Sequence, residues 1–180
     1  MPAQLQPRVG PWRFDDLDEL PDDGSRYEVV DGNLVVTPPP TQLHQVVSNR
    51  LRDAVAKDMP STWEAFTDFA LPMGTDGRVP DLVVVRTQVA ATRSNRNPYG
   101  PECFGLVAEV VSPRTRKTDR FAKPGEYAEV GIPIYWRVEL DPEPRIHAYV
   151  LSGDSYLEVD GPPPLPWGHL QATLADLGIN

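Results

Sequence analysis

Cysteine is nearly absent from this chain. Cys103 stands alone among 180 residues, which excludes an intramolecular disulfide and any cysteine-built zinc cluster. Histidine is scarce as well: His44, His147 and His169 are scattered and lack metal-ligand spacing. No run of about 18 apolar residues occurs, so no membrane-spanning helix is expected. Residues 1–7 lack the charged-then-apolar order of a signal peptide, and the expected location is cytoplasmic. There is no Gly-rich turn before a Lys-Ser or Lys-Thr pair to cradle phosphates, and no Gly-x-Ser-x-Gly elbow for a nucleophilic serine. Basic charge is in deficit, with 17 Lys and Arg against 26 Asp and Glu. The net −9 argues against a broad positive surface of the kind that binds duplex DNA unaided.

What is present is enough for a real core. A hydrophobic content of 40% supports one globular domain over residues 14–180, preceded by a loosely held arm at 1–13. Tyr27–Val30 and Leu34–Val36 flank Asp31-Gly32-Asn33, a strong hairpin signal. Thr41 reads as the N-cap of a helix reaching about Asp58, with Leu43, Val46, Val47, Leu51 and Val55 on one face. Residues 62–71 and 79–86 read as strands around a Thr75-Asp76-Gly77 turn, and 88–105 as a long polar loop. A strand at 106–111, a helix at 118–130 closed by Gly131, a hairpin from 134 to 151 and a last strand at 156–159 complete a mixed α+β order. Tyr135, Trp136, Trp167 and the proline-rich tail suggest apolar surface for a symmetric homodimer, or else core.

Two of these strands carry an acid where an acid is expensive. Val79-Pro80-Asp81-Leu82-Val83-Val84-Val85 and Leu106-Val107-Ala108-Glu109-Val110-Val111 are apolar runs, each interrupted by one carboxylate. An unpaired buried charge costs several kcal/mol or shifts its pKa until it is neutral. Asp81 and Glu109 therefore suggest a shared partner, and a divalent cation is the obvious candidate. Carboxylate oxygens suit Mg²⁺ or Mn²⁺, which keep several waters and also accept phosphate oxygens.

Positive charge concentrates immediately downstream. Arg114, Arg116, Lys117, Arg120 and Lys123 face a single acid, Asp119. The first four are candidate phosphate contacts, or else a solvated basic entry to the next helix. Asp119, Lys123 and Tyr127 are spaced to share one helical face. Lys123 then either supports a reaction at the acids or forms a surface pair with Asp119. His44, beside the apolar helix stripe, reads as a satisfied structural histidine or a supporting residue.

Pro80-Asp81, Glu109-Val110-Val111-Ser112-Pro113, Asp119, Lys123, Tyr127, Gly131-Ile132 and Tyr135-Trp136 follow one another in an order and spacing that resemble a known family. It is the Uma-two family of "putative restriction endonucleases", within the PD-(D/E)XK nuclease superfamily. Arg26 to Gly32 and the Pro40-to-His44 helix entry also resemble it. The resemblance implies an α+β, restriction-endonuclease-like mixed central sheet flanked by helices. It also implies Mg²⁺- or Mn²⁺-dependent hydrolysis of phosphodiester bonds, most naturally in DNA. By this resemblance Asp81 and Glu109 are metal ligands and Glu28 an additional N-terminal acid, though Glu28 also reads as a solvent-facing strand residue. The motif lysine expected two residues after the acid is replaced by Val111, and Lys123 takes its place from the following helix. A catalytically silent dimeric binding or regulatory protein on the same scaffold is the alternative.

Overall fold

The hairpin at the front of the chain shows how local chemistry sets the scaffold. The computed structural model describes residues 9–90 and 100–179. Residues 1–8 of the expected arm and 91–99 of the expected loop lie outside the described residues. Strands β1 (Arg26–Val30) and β2 (Asn33–Thr37) pair antiparallel across a two-residue turn. Asp31 and Gly32 both adopt positive φ, 50° and 71°, as a twist-matching hairpin turn requires. The arm is held more firmly at its end than expected. The Trp12 N–H donates to the Gly32 carbonyl and the Phe14 N–H to that of Thr75, each at 2.8 Å. A 3₁₀ turn then runs over Phe14–Glu19.

Helix α1 (Gln42–Ala56) starts at Thr41, whose hydroxyl accepts from the His44 N–H. Such a cap is worth about 1 kcal/mol. The buried face is Val47, Ser48, Leu51 and Val55. Leu43 and Val46, expected on that face, are instead exposed, at 65% and 37%. They lie off the face that carries Val47, Ser48, Leu51 and Val55 to the sheet. Each fully buried Val or Leu contributes roughly 1.5–3 kcal/mol.

The single strand expected at 62–71 is two strands in two sheets: β3 (Trp63–Phe66) and β4 (Leu71–Met73). Asp68, with φ of 58°, lies in the break between them. The turn expected at 75–77 sits earlier, at Gly74-Thr75, and β5 (Asp76–Arg78) begins at Asp76. Val79, Pro80 and Asp81 then connect to β6 (Leu82–Arg86), so Asp81 precedes its strand rather than interrupting it. A short helix α2 (Thr87–Ala90) opens the loop, and β7 (Phe104–Val110) follows it.

The segment expected to be one helix has two parts. A π-helical turn over Thr118–Ala122 runs into α3 (Lys123–Glu129). The Lys123 N–H bonds the Thr118 carbonyl, and Pro124 has no N–H to offer the Asp119 carbonyl. That carbonyl accepts instead from the Tyr135 hydroxyl, at 2.7 Å. Gly131 closes α3 with φ of 82°, the Gly131 and Ile132 N–H groups donating to the Ala128 and Tyr127 carbonyls.

The remaining strands are β8 (Ile134–Glu139), β9 (Arg145–Ser152), β10 (Ser155–Val159), β11 (Pro164–Leu165) and β12 (Gly168–His169). They complete a six-stranded sheet in the order β10-β9-β8-β7-β6-β3, beside a four-stranded sheet β2-β1-β5-β4. Only β7 and β8 pair in parallel within the larger sheet, which is therefore mixed. Val47, Leu51 and Val55 of α1 pack on one face with Leu82, Val84, Leu106, Ala108 and Trp136. Tyr127 and Ile132 pack on the other with Val83, Val107, Tyr135 and Leu71. Tyr135 and Trp136 are thus fully buried core residues, and Trp167 is half-buried against Trp63. Of the two readings open for Tyr135 and Trp136, contact surface or core, the fold has core. Among the described residues, no helix is long and apolar enough to cross a membrane.

Candidate active site

Sheet register brings the two acids together. Leu82 pairs with Ala108, so the residues one step outward, Asp81 and Glu109, stand opposite each other on neighbouring strands. Both are almost completely buried, at 2% and 1% exposure. Val83 and Val107, on their face, pack with Tyr127, so the pair lies on the α3 side of the sheet.

Each acid has its own partners. The Arg26 Nη1 of β1 donates to Asp81 Oδ1 at 2.5 Å, while Nη2 pairs with Asp68 at the same distance. Asp81 Oδ2 accepts from the Val110 N–H at 2.8 Å. The His44 Nε2, in the first turn of α1, lies 3.0 Å from that oxygen and 3.1 Å from the Val110 carbonyl. Both neighbours are acceptors, so Nε2 carries the proton. Glu109 Oε1 accepts from the Tyr127 hydroxyl at 2.5 Å, and Oε2 lies 2.8 Å from the Lys123 ammonium. Lys123 is also 3.1 Å from Asp119 Oδ1.

These surroundings push the acids in opposite directions. Burial raises Asp81, but the His44 hydrogen bond, the charges of His44 and Arg26, and Lys123 outweigh it; the carboxyl lies below its ordinary value. Burial raises Glu109 too. The Lys123 charge opposes that rise while Asp81 and Asp119 add to it, and Glu109 is pushed up to about 8. Asp119 is raised, chiefly by burial. Burial opposes the charge on Lys123, yet Glu109, Asp119, Glu28 and Asp81 together hold it firmly protonated. The centre carries more carboxylates than nearby cations can neutralise, and a proton on Glu109 relieves the excess.

A divalent cation would relieve the same excess. Among the described residues no group of three or more His, Cys, Asp or Glu side chains is arranged to hold a metal ion. The donor set is two facing carboxylates, which suits Mg²⁺ or Mn²⁺ completed by water and phosphate, and does not suit zinc. The residues fit an ion of the first kind, held by Asp81 and Glu109.

Of the other residues singled out by sequence, Lys123, Tyr127 and His44 join this centre, and Glu28 joins it indirectly. Glu28 is buried rather than solvent-facing. It accepts from Arg78 Nη1 at 3.1 Å and from the Val79 N–H at 2.9 Å. Arg78 in turn grips Glu126 of α3 with bonds of 2.8 and 2.7 Å. The basic run does not converge here. Arg120 makes a two-bond pair with Glu139, at 2.8 and 3.0 Å, and Arg116 lies 3.7 Å from Asp141. Arg114 and Lys117 are exposed. None of the four forms an ion pair or hydrogen bond with Asp81, Glu109 or Lys123.

Sequence reading gave no site role to Arg26 or Asp119. Arg26 is two residues from Glu28 on one strand and shares its face, so suspicion of Glu28 could have extended to it. Asp119 was placed on the face of Lys123 and Tyr127, and its burial beside them is settled only by the fold.

The family model described as "Uma2: Putative restriction endonuclease" matches residues 14–180. Among solved structures, the crystal structure of "a putative nuclease belonging to DUF820" from Anabaena variabilis ATCC 29413 matches with a TM-score of 0.70. The two are 19% identical, with 93% of this chain and 97% of that one covered. At that identity the likeness is one of fold, and the fold is the mixed-sheet α+β arrangement expected. Comparison with curated proteins gives no match. Because the family model covers nearly the whole chain, and Asp81, Glu109 and Lys123 all lie within that span, this protein belongs to the Uma2 family, "Putative restriction endonuclease".

Proposed function

We propose that this protein is a Mg²⁺- or Mn²⁺-dependent endonuclease that hydrolyses phosphodiester bonds in DNA. The observation that carries the reading is the facing pair Asp81 and Glu109, with the Lys123 ammonium 2.8 Å from Glu109. Hydrolysis adds water to phosphorus and breaks one P–O ester bond, leaving a phosphate monoester and a hydroxyl. Asp81 and Glu109 would hold the cation, which when bound polarises the phosphodiester and lowers the pKa of a bound water. Lys123 keeps a positive charge beside the reacting phosphate and offsets the charge that grows there in the transition state. Tyr127 orients Glu109 through its hydroxyl, and the Val110 N–H and His44 orient Asp81. Arg26 must leave Asp81 Oδ1 for a cation to share it, and Asp68 already holds its other nitrogen.

One observation favours the rival reading, a silent binding or regulatory protein: the Asp81 and Glu109 oxygens already sit in ion pairs and hydrogen bonds. Supercoiled and linear DNA incubated with Mn²⁺ separates the two. The parent protein is expected to cut and the Asp81→Asn and Glu109→Gln variants to be inactive, each folded by circular dichroism. Cutting that survives in both variants would sink the assigned site. No cutting by the parent with any divalent metal would favour the silent protein.

A further inference from the structure

The π-helical turn has a second side. Asp119 and Lys123 point inward to Glu109, whereas Arg120 and Phe121 face a separate cleft of about 630 Å³, walled by Arg137, Arg145 and His147 and by the acids Glu139, Asp141 and Glu143. Phe121 is 77% exposed, between Arg120, which Glu139 holds, and the small Ala122. An aromatic ring left open to water in this way costs hydrophobic free energy, and such exposed apolar groups mark contact sites more often than accidents.

The cleft adjoins the candidate active site by register. Glu109 pairs with Arg137 across β7 and β8, and Arg137 pairs with His147 across β8 and β9. Asp81, Glu109, Arg137 and His147 therefore form a cross-strand row on one face of the sheet. Adjacent strands lie about 5 Å apart, so a chain whose phosphate sits at Glu109 reaches the cleft within about one nucleotide. Charge along the row changes from acid to cation. Glu139 holds Arg120 and approaches Arg137, and Glu158 holds His147, while Arg145 is exposed with no ion pair among the described residues. Arg116 reaches across to Asp141 on the cleft rim.

We propose that this cleft is a subsite for an unpaired nucleotide flanking the bond to be cut, its base stacked on Phe121 and its phosphate held by Arg145. The proposal rests on the nuclease reading for its place beside the acids, and it names the substrate as locally single-stranded. A ring that stands free can stack only a base with an open face, and in a duplex those faces are already stacked. Base–aromatic stacking joined to a cationic groove is the general chemistry of single-strand binding. In this cleft the cationic part is local, the unpaired Arg145 among mixed charges, and it does not need the broad positive surface that a chain of net charge −9 lacks.

The test is fluorescence anisotropy in EDTA, where cutting plays no part, with labelled oligo-dT, oligo-U and a blunt duplex. The parent is expected to bind both single strands more tightly than the duplex, and the two single strands report whether the sugar is read. Phe121→Ala should weaken single-strand binding by about tenfold and leave duplex binding unchanged, while Phe121→Trp retains it. Arg145→Ala should weaken binding and flatten its salt dependence. No single-strand binding by the parent, or Phe121→Ala binding as the parent does, would overturn the proposal. Stacking on Phe121 without cutting under any metal would remove the nuclease reading and leave the subsite. Cutting unaffected by Phe121→Ala, with unchanged binding, would remove the subsite alone.

Discussion

Asp81 and Glu109 face each other at one end of the same sheet, yet their surroundings are opposite. Asp81 is met by a guanidinium, an imidazole N–H and a backbone N–H, drawn from β1, α1 and β7. Glu109 is met by one phenol and one ammonium, both from the segment after it, and that ammonium is shared with Asp119. Donor number decides the outcome. The first acid stays ionised and the second is pushed toward its neutral form. Pairs of acids whose environments split their pKa values are a recurrent mark of catalytic centres.

The largest effect expected from breaking this comparison is on activity. Lys123→Ala removes the only ammonium at Glu109 and should lower metal-dependent cleavage by about 10²-fold or more while Mn²⁺ still binds by calorimetry. Adding Val111→Lys should restore part of the rate, since residue 111 is two positions from Glu109 along the chain. Cleavage equal to that of the parent would show that Lys123 serves only the fold.

Arg26→Gln tests the Asp81 side. With the guanidinium gone, a cation no longer competes for Oδ1, and Mn²⁺ affinity should rise by about tenfold, close to 1.4 kcal/mol. Weaker Mn²⁺ binding would mean that Arg26 holds Asp81 in its productive position rather than blocking it.

Stability against pH separates the two acids without any metal. Glu109 is raised in the folded state from 4.5 to about 8, so its contribution is full below 4.5 and is lost as pH rises through about 8. Asp81 is lowered from 3.8, so its contribution is present above 3.8 and is lost as pH falls through its folded value. Urea midpoints of the metal-free protein should fall from about pH 5 to about pH 8.5. Glu109→Gln should flatten that fall, and Asp81→Asn, which removes one of the charges that raise Glu109, should reduce it without abolishing it. A parent profile already flat over this range would break the contrast. The smallest effect belongs to Tyr127→Phe, which removes one buried hydrogen bond to Glu109 and should cost about 1–2 kcal/mol in chemical denaturation.

Much of this centre was legible beforehand because its signals are local. An acid among aliphatic residues is conspicuous at Asp81 and at Glu109, and the Asp119, Lys123, Tyr127 spacing placed all three on one face. Thr41, Gly131 and the Asp31-Gly32 turn marked element ends by their own backbone chemistry. The readings that failed were those requiring knowledge of what packs where. Leu43 and Val46 are apolar residues of α1 but lie off the face that His44, Val47 and Leu51 turn to the sheet. The 62–71 run has strand composition throughout, yet its halves enter different sheets. Tyr135 and Trp136 read as either surface or core in sequence, and only the fold decides for core.

The amino-acid sequence by itself determined the strands, the turns, the costly acids and the lysine that follows them, because each depends on propensity or charge over a few residues. Only the tertiary structure decided that Arg26 and His44 close on Asp81, that Glu28 is spent on Arg78, and that Arg120 answers Glu139 rather than the acid pair. Those choices join residues from 19 to 55 positions apart. They follow from strand register and from the π-helical turn, and single-residue chemistry carries no information about either.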